Sequence, residues 1–222
     1  FVGQIDYFTH IRLDEPDWWR DDKPIKEEGY ATHLFAKEAC RVIREKKPDK
    51  PLFLYLAFNA VHAPHQAPDE YLKPYYKLTG TRKIYAGMVA AMDEAIGQVL
   101  ATLDEKGIRT NTLIVFSSDN GGPQPGVVTS NYPLRAGKAT LYEGGVRVCA
   151  CVNWPGHVPT NSVVNEPLHA VDWFPTLVKL AGGSLKQTNS LDGLDIWPVL
   201  TRGEKLTRES ILICDTRPAR AA

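Results

Sequence analysis

The sequence is short of most features that betray a compartment, a membrane or a metal at sight. Its four cysteines, Cys40, Cys149, Cys151 and Cys214, make no paired C-x-x-C spacing, which excludes the common structural zinc frameworks. Cys149 and Cys151 sit two apart in an apolar run, so the expectation is core packing on one face of a strand. There is no Asn-x-Ser/Thr acceptor for N-glycosylation, and four thiols are too few to read a redox compartment. Net charge is missing too: 26 basic residues balance 26 acidic ones, interspersed along the chain. Nucleic acid and anionic membrane surfaces need a basic patch, so neither is expected as the main partner. No apolar run reaches the roughly 18 residues that a membrane span requires. The chain opens on Phe1 rather than Met and carries no signal-peptide pattern, which reads as a processed or partial chain. Internal repeats and low-complexity segments are absent.

What is present suffices for a core, since 43% of the 222 residues are apolar. The first thirty residues are polar and aromatic without sustained period, and read as an irregular surface segment. Leu34, Phe35, Ala39, Val42 and Ile43 recur at helical spacing between Thr32 and Lys46, with Pro48 and Pro51 beyond them. Leu52 to Phe58 is a continuous apolar run, too short for a helix, and reads as a strand buried on both faces. A second helix is expected from about Arg82 to Lys106, with Ile84, Met88, Met92, Ile96, Val99 and Leu103 on one stripe and Gly107 at its C-terminal stop. Thr112–Ser117 and Val146–Val152 read as further buried strands, and Asp172–Leu180 as a short helix before Gly182 and Gly183. This alternation is that of an α/β fold with a mostly parallel sheet flanked by helices. In such sheets ligands sit outside the carboxyl ends of the strands, which singles out the loops after Phe58 and Phe116.

Both loops hold chemistry-bearing residues. Asp119 and Asn120, in Ser118-Asp119-Asn120-Gly121-Gly122, offer a carboxylate and an amide carbonyl to a hard cation such as Ca²⁺ or Mg²⁺. The same tetrad is also ordinary turn chemistry, and the residues alone leave both open. His62, in Asn59-Ala60-Val61-His62-Ala63-Pro64-His65, can act as a general acid or bind an anion, or can simply bond to backbone in a proline-rich turn. His62 and His65 lack a helical spacing for a metal pair. Arg135 and Lys138, between glycines, can hold an anionic oxygen or stand as solvated loop charges.

The order of these motifs is more specific than any one of them. PLFLYLAFNAVHAPHQAPDEYLKPY, YAGMVAAMDEAIGQVLATLDEKGI, NTLIVFSSDNGG, YPLRAGKATLYEGGVRV and HAVDWFPTLVKLAGG follow one another as in the type I sulfatases. The chain resembles that family from about Gly3 to Leu212, and within it the arylsulfatase B group. The resemblance implies an alkaline phosphatase-like sulfatase core and sulfuric ester hydrolysis, with sulfated sugars as the substrate class. It also implies one Ca²⁺ ion, with Asp119 and Asn120 as two of its ligands. His62 then matches the histidine at the sulfate ester, and Lys138 the lysine that binds sulfate. An extracytoplasmic setting (lysosomal, secreted or periplasmic) follows from the same resemblance.

Several expected parts are missing. No cysteine or serine begins C/S-x-P-x-R, the motif that matures to the formylglycine nucleophile in this family. The early Asp pair and the Gly-Lys-Trp-His-type motif are absent as well. The expectation is therefore the central and later part of a sulfatase catalytic domain over 1–222, an incomplete core that is inactive alone. Two alternatives stand beside it. One is a phosphodiesterase or phosphonate hydrolase of the same superfamily. The other is a non-catalytic sulfatase-like module that binds sulfated glycans.

Overall fold

The structure, a computed structural model, describes residues 4–124, 126 and 128–213. They belong to two compact units, one drawn from Phe1–Arg109 with Gln124–Ser130, the other from Thr110–Pro123 with Asn131–Ala222.

In the first unit, the segment expected to be irregular and superficial forms two short antiparallel ladders. β1 (Ile11–Arg12) pairs with β2 (Glu15–Pro16), and β3 (Trp19–Arg20) with β4 (Lys23–Pro24). It also supplies core: Ile5, Tyr7, His10 and Trp18 are buried. Their burial comes from ring packing rather than from a backbone period. His10 stacks on Trp18 at 4.3 Å, Trp18 meets Phe35 at 4.9 Å, and Tyr7 stacks on Tyr30 at 5.4 Å.

Helix α1 (Ala31–Glu45) buries Ala31, Leu34, Ala39, Cys40 and Ile43, close to the expected face. Its first amide, Ala31 N–H, donates to the Tyr7 carbonyl at 2.8 Å, so one of the orphan donors of the helix start is satisfied by the N-terminal segment. A short turn of helix, α2 (Asp69–Leu72), leads to the long α3 (Gly80–Glu105). The buried stripe of α3 runs through Gly87, Met88, Ala91, Ala95 and Leu103, a narrower and smaller-residue face than the sequence stripe. A Cβ on Gly87 would lie 2.8 Å from Leu72 Cδ2, so this glycine lets α2 approach closely. The helix stops as expected at Gly107, in the left-handed region at φ +65°, with Ile108 N–H bonded to the Leu103 carbonyl at 3.0 Å.

One expected strand is not found. Leu52–Phe58 carries no ladder, and Phe53 and Tyr55 are 76% and 82% exposed. Apolar sequence gives a strand its faces but not its hydrogen-bond partner, and no described strand pairs with this run.

In the second unit, β5 (Ile114–Ser117) pairs with β6 (Ala150–Asn153). Their ladder is antiparallel, with Val115 opposite Val152 and Phe116 opposite Cys151. All three ladders among the described residues are thus antiparallel, where the sequence suggested a mostly parallel sheet. The third expected strand begins late, because Glu143–Val146 instead makes a turn of helix, α4. Cys149 and Cys151 are exposed, a correction to the core packing expected of them: β6 pairs along one edge but is not covered. Cys214 lies outside the described residues. Helix α5 (Trp173–Leu180) matches its expected position, and α6 (Trp197–Arg202) had no periodic signal in six residues. No described helix is long and apolar enough to cross a membrane.

Candidate functional site

Asp119 and Asn120 begin where the β5–β6 ladder ends. Ser118 N–H still bonds to the Cys149 carbonyl at 3.1 Å, and the next residues turn away. Asp119 Oδ1 accepts from Asn120 N–H at 2.9 Å. The Asn120 amide donates from Nδ2 to the Gly121 carbonyl at 2.9 Å, a bond that does not use its side-chain oxygen. Adjacent residues therefore present a carboxylate and an amide oxygen, Asp119 exposed and Asn120 half-buried.

This is hard-cation donor chemistry. Among the described residues no group of three or more His, Cys, Asp or Glu gathers for a metal. As donor types the carboxylate and the amide oxygen suit Ca²⁺, and two donors alone do not complete its shell.

Lys138 is brought to the same turn through backbone. Its N–H donates to the Gly122 carbonyl at 3.1 Å, two residues beyond Asn120. Asn131 clamps this junction from the side. Its Oδ1 accepts from Gly122 N–H at 2.9 Å, and its Nδ2 donates to the carbonyls of Gly122 at 2.8 Å and Ala136 at 2.9 Å.

The glycines explain the closeness. Gly121 N–H bonds to the Gly145 carbonyl, and Gly144 N–H to the Arg135 carbonyl. A Cβ on Gly121 would fall 1.7 Å from the Gly144 oxygen, and one on Gly144 would fall 2.1 Å from the Ala136 oxygen. The Gly121 turn, the 135–137 loop and the helical turn α4 meet here backbone against backbone, with no room for a Cβ at these glycines. Arg135 points elsewhere: its guanidinium lies over the Tyr142 ring, 3.8 Å from the centroid, as a cation–π pair.

His62 belongs to the first unit, on the loop after Phe58. Its N–H bonds to the Asn59 carbonyl at 2.9 Å, closing a turn, and the Ala60–Val61 and Ala63–Pro64 peptides are cis. His62 Nδ1 lies 2.8 Å from the Ala63 carbonyl oxygen. A carbonyl only accepts, so Nδ1 carries the proton of that bond. Burial lowers the pKa of His65, and the nearby His62 lowers it further, so His65 favours the neutral form.

Asp119, Asn120, Lys138 and His62 stand in local motifs, whereas the residues that hold their turns do not. Asn131 carries no signal beyond its place before Tyr132-Pro133. The pairs Gly121-Gly122 and Gly144-Gly145 were the legible hint, since two glycine pairs fit two backbones in contact.

Comparison with known proteins gives one consistent answer. The family model described as Sulfatase matches residues 2–184. Arylsulfatase J of Mus musculus is 38% identical over 220 residues, which is 95% of this chain and 37% of that protein. N-acetylgalactosamine-6-sulfatase of Mus musculus is 35% identical over 185 residues, covering 82% of this chain and 35% of the relative. Among solved structures, Ps i-CgsB in complex with k-i-k-neocarrahexaose superposes with a TM-score of 0.79 at 39% identity. That match covers 83% of this chain and 41% of the other. The chain thus spans less than half the length of each of these three proteins, and its fold class is the α/β, alkaline phosphatase-like core expected from the sequence.

Proposed function

The chain belongs to the sulfatase family, and on that premise we propose that the full-length protein hydrolyses sulfate esters, with sulfated carbohydrate as the substrate class. The observation that supports this reading most directly is the junction at Gly122. One backbone carbonyl joins the turn bearing Asp119 and Asn120 to the loop bearing Lys138, and Asn131 locks both. Two oxygen donors for a cation, on a turn bonded through backbone to the loop that carries Lys138, suit a tetrahedral oxyanion held by that cation and by the lysine.

In this assignment Lys138 binds an oxygen of the sulfate and stabilises the negative charge that builds there as the ester S–O bond breaks. Asp119 and Asn120 supply two of the ligands for a Ca²⁺ ion, which when bound adds Lewis-acid stabilisation to the same charge. His62 donates from Nε2 to the departing ester oxygen, a step that requires the imidazolium because Nδ1–H is already committed to Ala63. The nucleophile is not among these 222 residues, which contain no C/S-x-P-x-R, so the chain by itself does not turn over a sulfate ester. An extracytoplasmic setting goes with the same reading.

The test is release of sulfate by the full-length protein, with Ca²⁺, from an aryl sulfate and from a sulfated amino sugar. Activity should be lost in Lys138→Ala, and Asp119→Ala should raise the Ca²⁺ concentration needed for half activity. Faster cleavage of a phosphate diester would move the protein to the phosphodiesterase branch of the superfamily. Tight binding of a sulfated glycan without any turnover would make it a non-catalytic module.

A further inference from the structure

The His62 loop is held by a residue 55 positions earlier in the chain. Tyr7 is fully buried, and its hydroxyl lies 2.8 Å from the Asn59 carbonyl oxygen and 2.9 Å from the His62 carbonyl oxygen. One phenolic hydrogen is shared between the two carbonyls that bracket the turn carrying the imidazole. The Tyr7 backbone is itself fixed on both sides: its N–H donates to Gln66 Oε1 at 2.8 Å, and its carbonyl accepts from Ala31 at the start of α1. Gln66 closes the loop's other end, donating from Nε2 to Asp6 Oδ2 at 2.6 Å and accepting at its backbone carbonyl from the Tyr30 hydroxyl at 2.9 Å.

Other candidates for setting this turn are weaker. The Asn59 side chain is 6% exposed, yet neither of its amide atoms has a partner among the described residues. Ala60 and Val61 pack against the core, which fixes depth but not the rotation of the turn. The directional bonds on the turn's carbonyls come from Tyr7 and from the turn's own His62 N–H. Burial raises the Tyr7 pKa, so the hydroxyl stays a donor at any working pH.

We propose that Tyr7 is the positioning residue for His62, its hydroxyl setting the turn so that the imidazole meets the leaving oxygen. This rests on the assignment of His62 as the leaving-group acid. Tyr7 touches no reacting atom and acts only through the backbone of the turn. A displaced acid costs rate in proportion to how much the leaving group needs a proton. An alkoxide leaving from a sugar sulfate needs one; a nitrophenolate does not.

The experiment compares Tyr7→Phe with the unaltered full-length protein on a sugar sulfate and on 4-nitrophenyl sulfate. The expected result is a fall in kcat of about ten-fold or more on the sugar sulfate, with less than about two-fold change on the nitrophenyl ester. Tyr30→Phe removes a hydroxyl bond to the same loop at Gln66 and should affect both substrates equally and mildly. Equal losses on both substrates with Tyr7→Phe, or no loss on either, overturn the proposal. So does a Tyr30→Phe variant with the same leaving-group selectivity, since loosening the loop anywhere would then suffice. If Tyr7→Phe fails to fold, Gln66→Met frees the Tyr7 backbone while keeping the hydroxyl. A selective loss on the sugar sulfate then supports the coupling, and equal losses refute it. An unaltered protein that cleaves neither sulfate ester brings down the sulfatase reading first and this inference with it.

Discussion

The side-chain amide of Asn131 pairs with both backbone polar atoms of Gly122, accepting from its N–H at 2.9 Å and donating to its carbonyl at 2.8 Å. It imitates a strand neighbour at a point where no strand runs. The same carbonyl receives Lys138 N–H, so removing the amide loosens Lys138 together with Asp119 and Asn120. Asn131→Ala should destabilise the protein by about 2–3 kcal/mol, since three part-buried bonds are lost at roughly 1 kcal/mol each. If Asp119 and Asn120 hold Ca²⁺ as proposed, it should also weaken Ca²⁺ binding through the turn that carries them. Calorimetric Ca²⁺ titration of the full-length protein checks this, and unchanged affinity would detach the clamp from the proposed ligands.

Gly121 and Gly97 should respond to the same substitution in opposite directions. A Cβ on Gly121 would stand 1.7 Å from the Gly144 oxygen, a backbone atom that cannot swing away, so Gly121→Ala should cost about 3 kcal/mol or more. Gly97 is exposed inside α3 with nothing within 4 Å of the added carbon. Gly97→Ala should therefore stabilise by about 0.5–1 kcal/mol through helix propensity. Thermal unfolding of the two variants decides, and a tolerated Gly121→Ala would mean that the two loops separate readily.

The contrast between these glycines also marks what sequence could carry. Helices α1, α3 and α5 were legible because their apolar residues repeat with the helical period and the stop after α3 needs a left-handed residue at Gly107. Asp119, Asn120, His62 and Lys138 are candidates named from local motifs. Their supports were not legible in this way. Tyr7 and His62 lie 55 positions apart, and no local pattern encodes a hydroxyl that reaches so far along the chain. The run Leu52–Phe58 failed for a related reason: strand pairing is a property of two segments, and the sequence of one shows only its appetite for burial.

Asp6 makes the anchoring of the His62 loop pH-dependent. Burial pushes its carboxyl up, but hydrogen bonds from Gln66, Thr9 and Phe8 outweigh that and hold the pKa down to about 2. A depressed carboxyl contributes stability above its unfolded pKa of about 4, and that contribution disappears as pH falls towards about 2. Asp6 is only partly buried, so after solvent screening the effect is about 1 kcal/mol. Asp6→Asn should be less stable than the unaltered protein at pH 7 and lose less on acidification. Parallel stability–pH curves for the two would exclude Asp6 as the group responsible.

A second carboxylate, Asp172, ties the C-terminal part of the second unit together and should be the costlier one to disturb. It is fully buried and accepts from His169 N–H at 2.7 Å, from Leu194 N–H at 2.9 Å and from both terminal nitrogens of Arg208. Burial pushes its pKa up, but the Arg208 guanidinium and the two amides hold it below the usual carboxylate range. Arg208→Ala leaves the charge buried with only the amides. The loss should be about 3 kcal/mol, at the lower end for a broken buried pair because those two bonds survive. The sign with pH follows from the depressed pKa: the pair stabilises above the unfolded carboxyl range near 4 and ceases to as pH falls below it. Without Arg208 the carboxyl is depressed less, so the acid loss should begin at a higher pH in the variant. Replacing both members, Asp172→Asn with Arg208→Met, removes the stranded charge and should recover part of the stability. Urea unfolding of the three proteins at pH 7 and at pH 4 measures each step. A double variant no better than Arg208→Ala would show that the guanidinium acts by packing and not by charge.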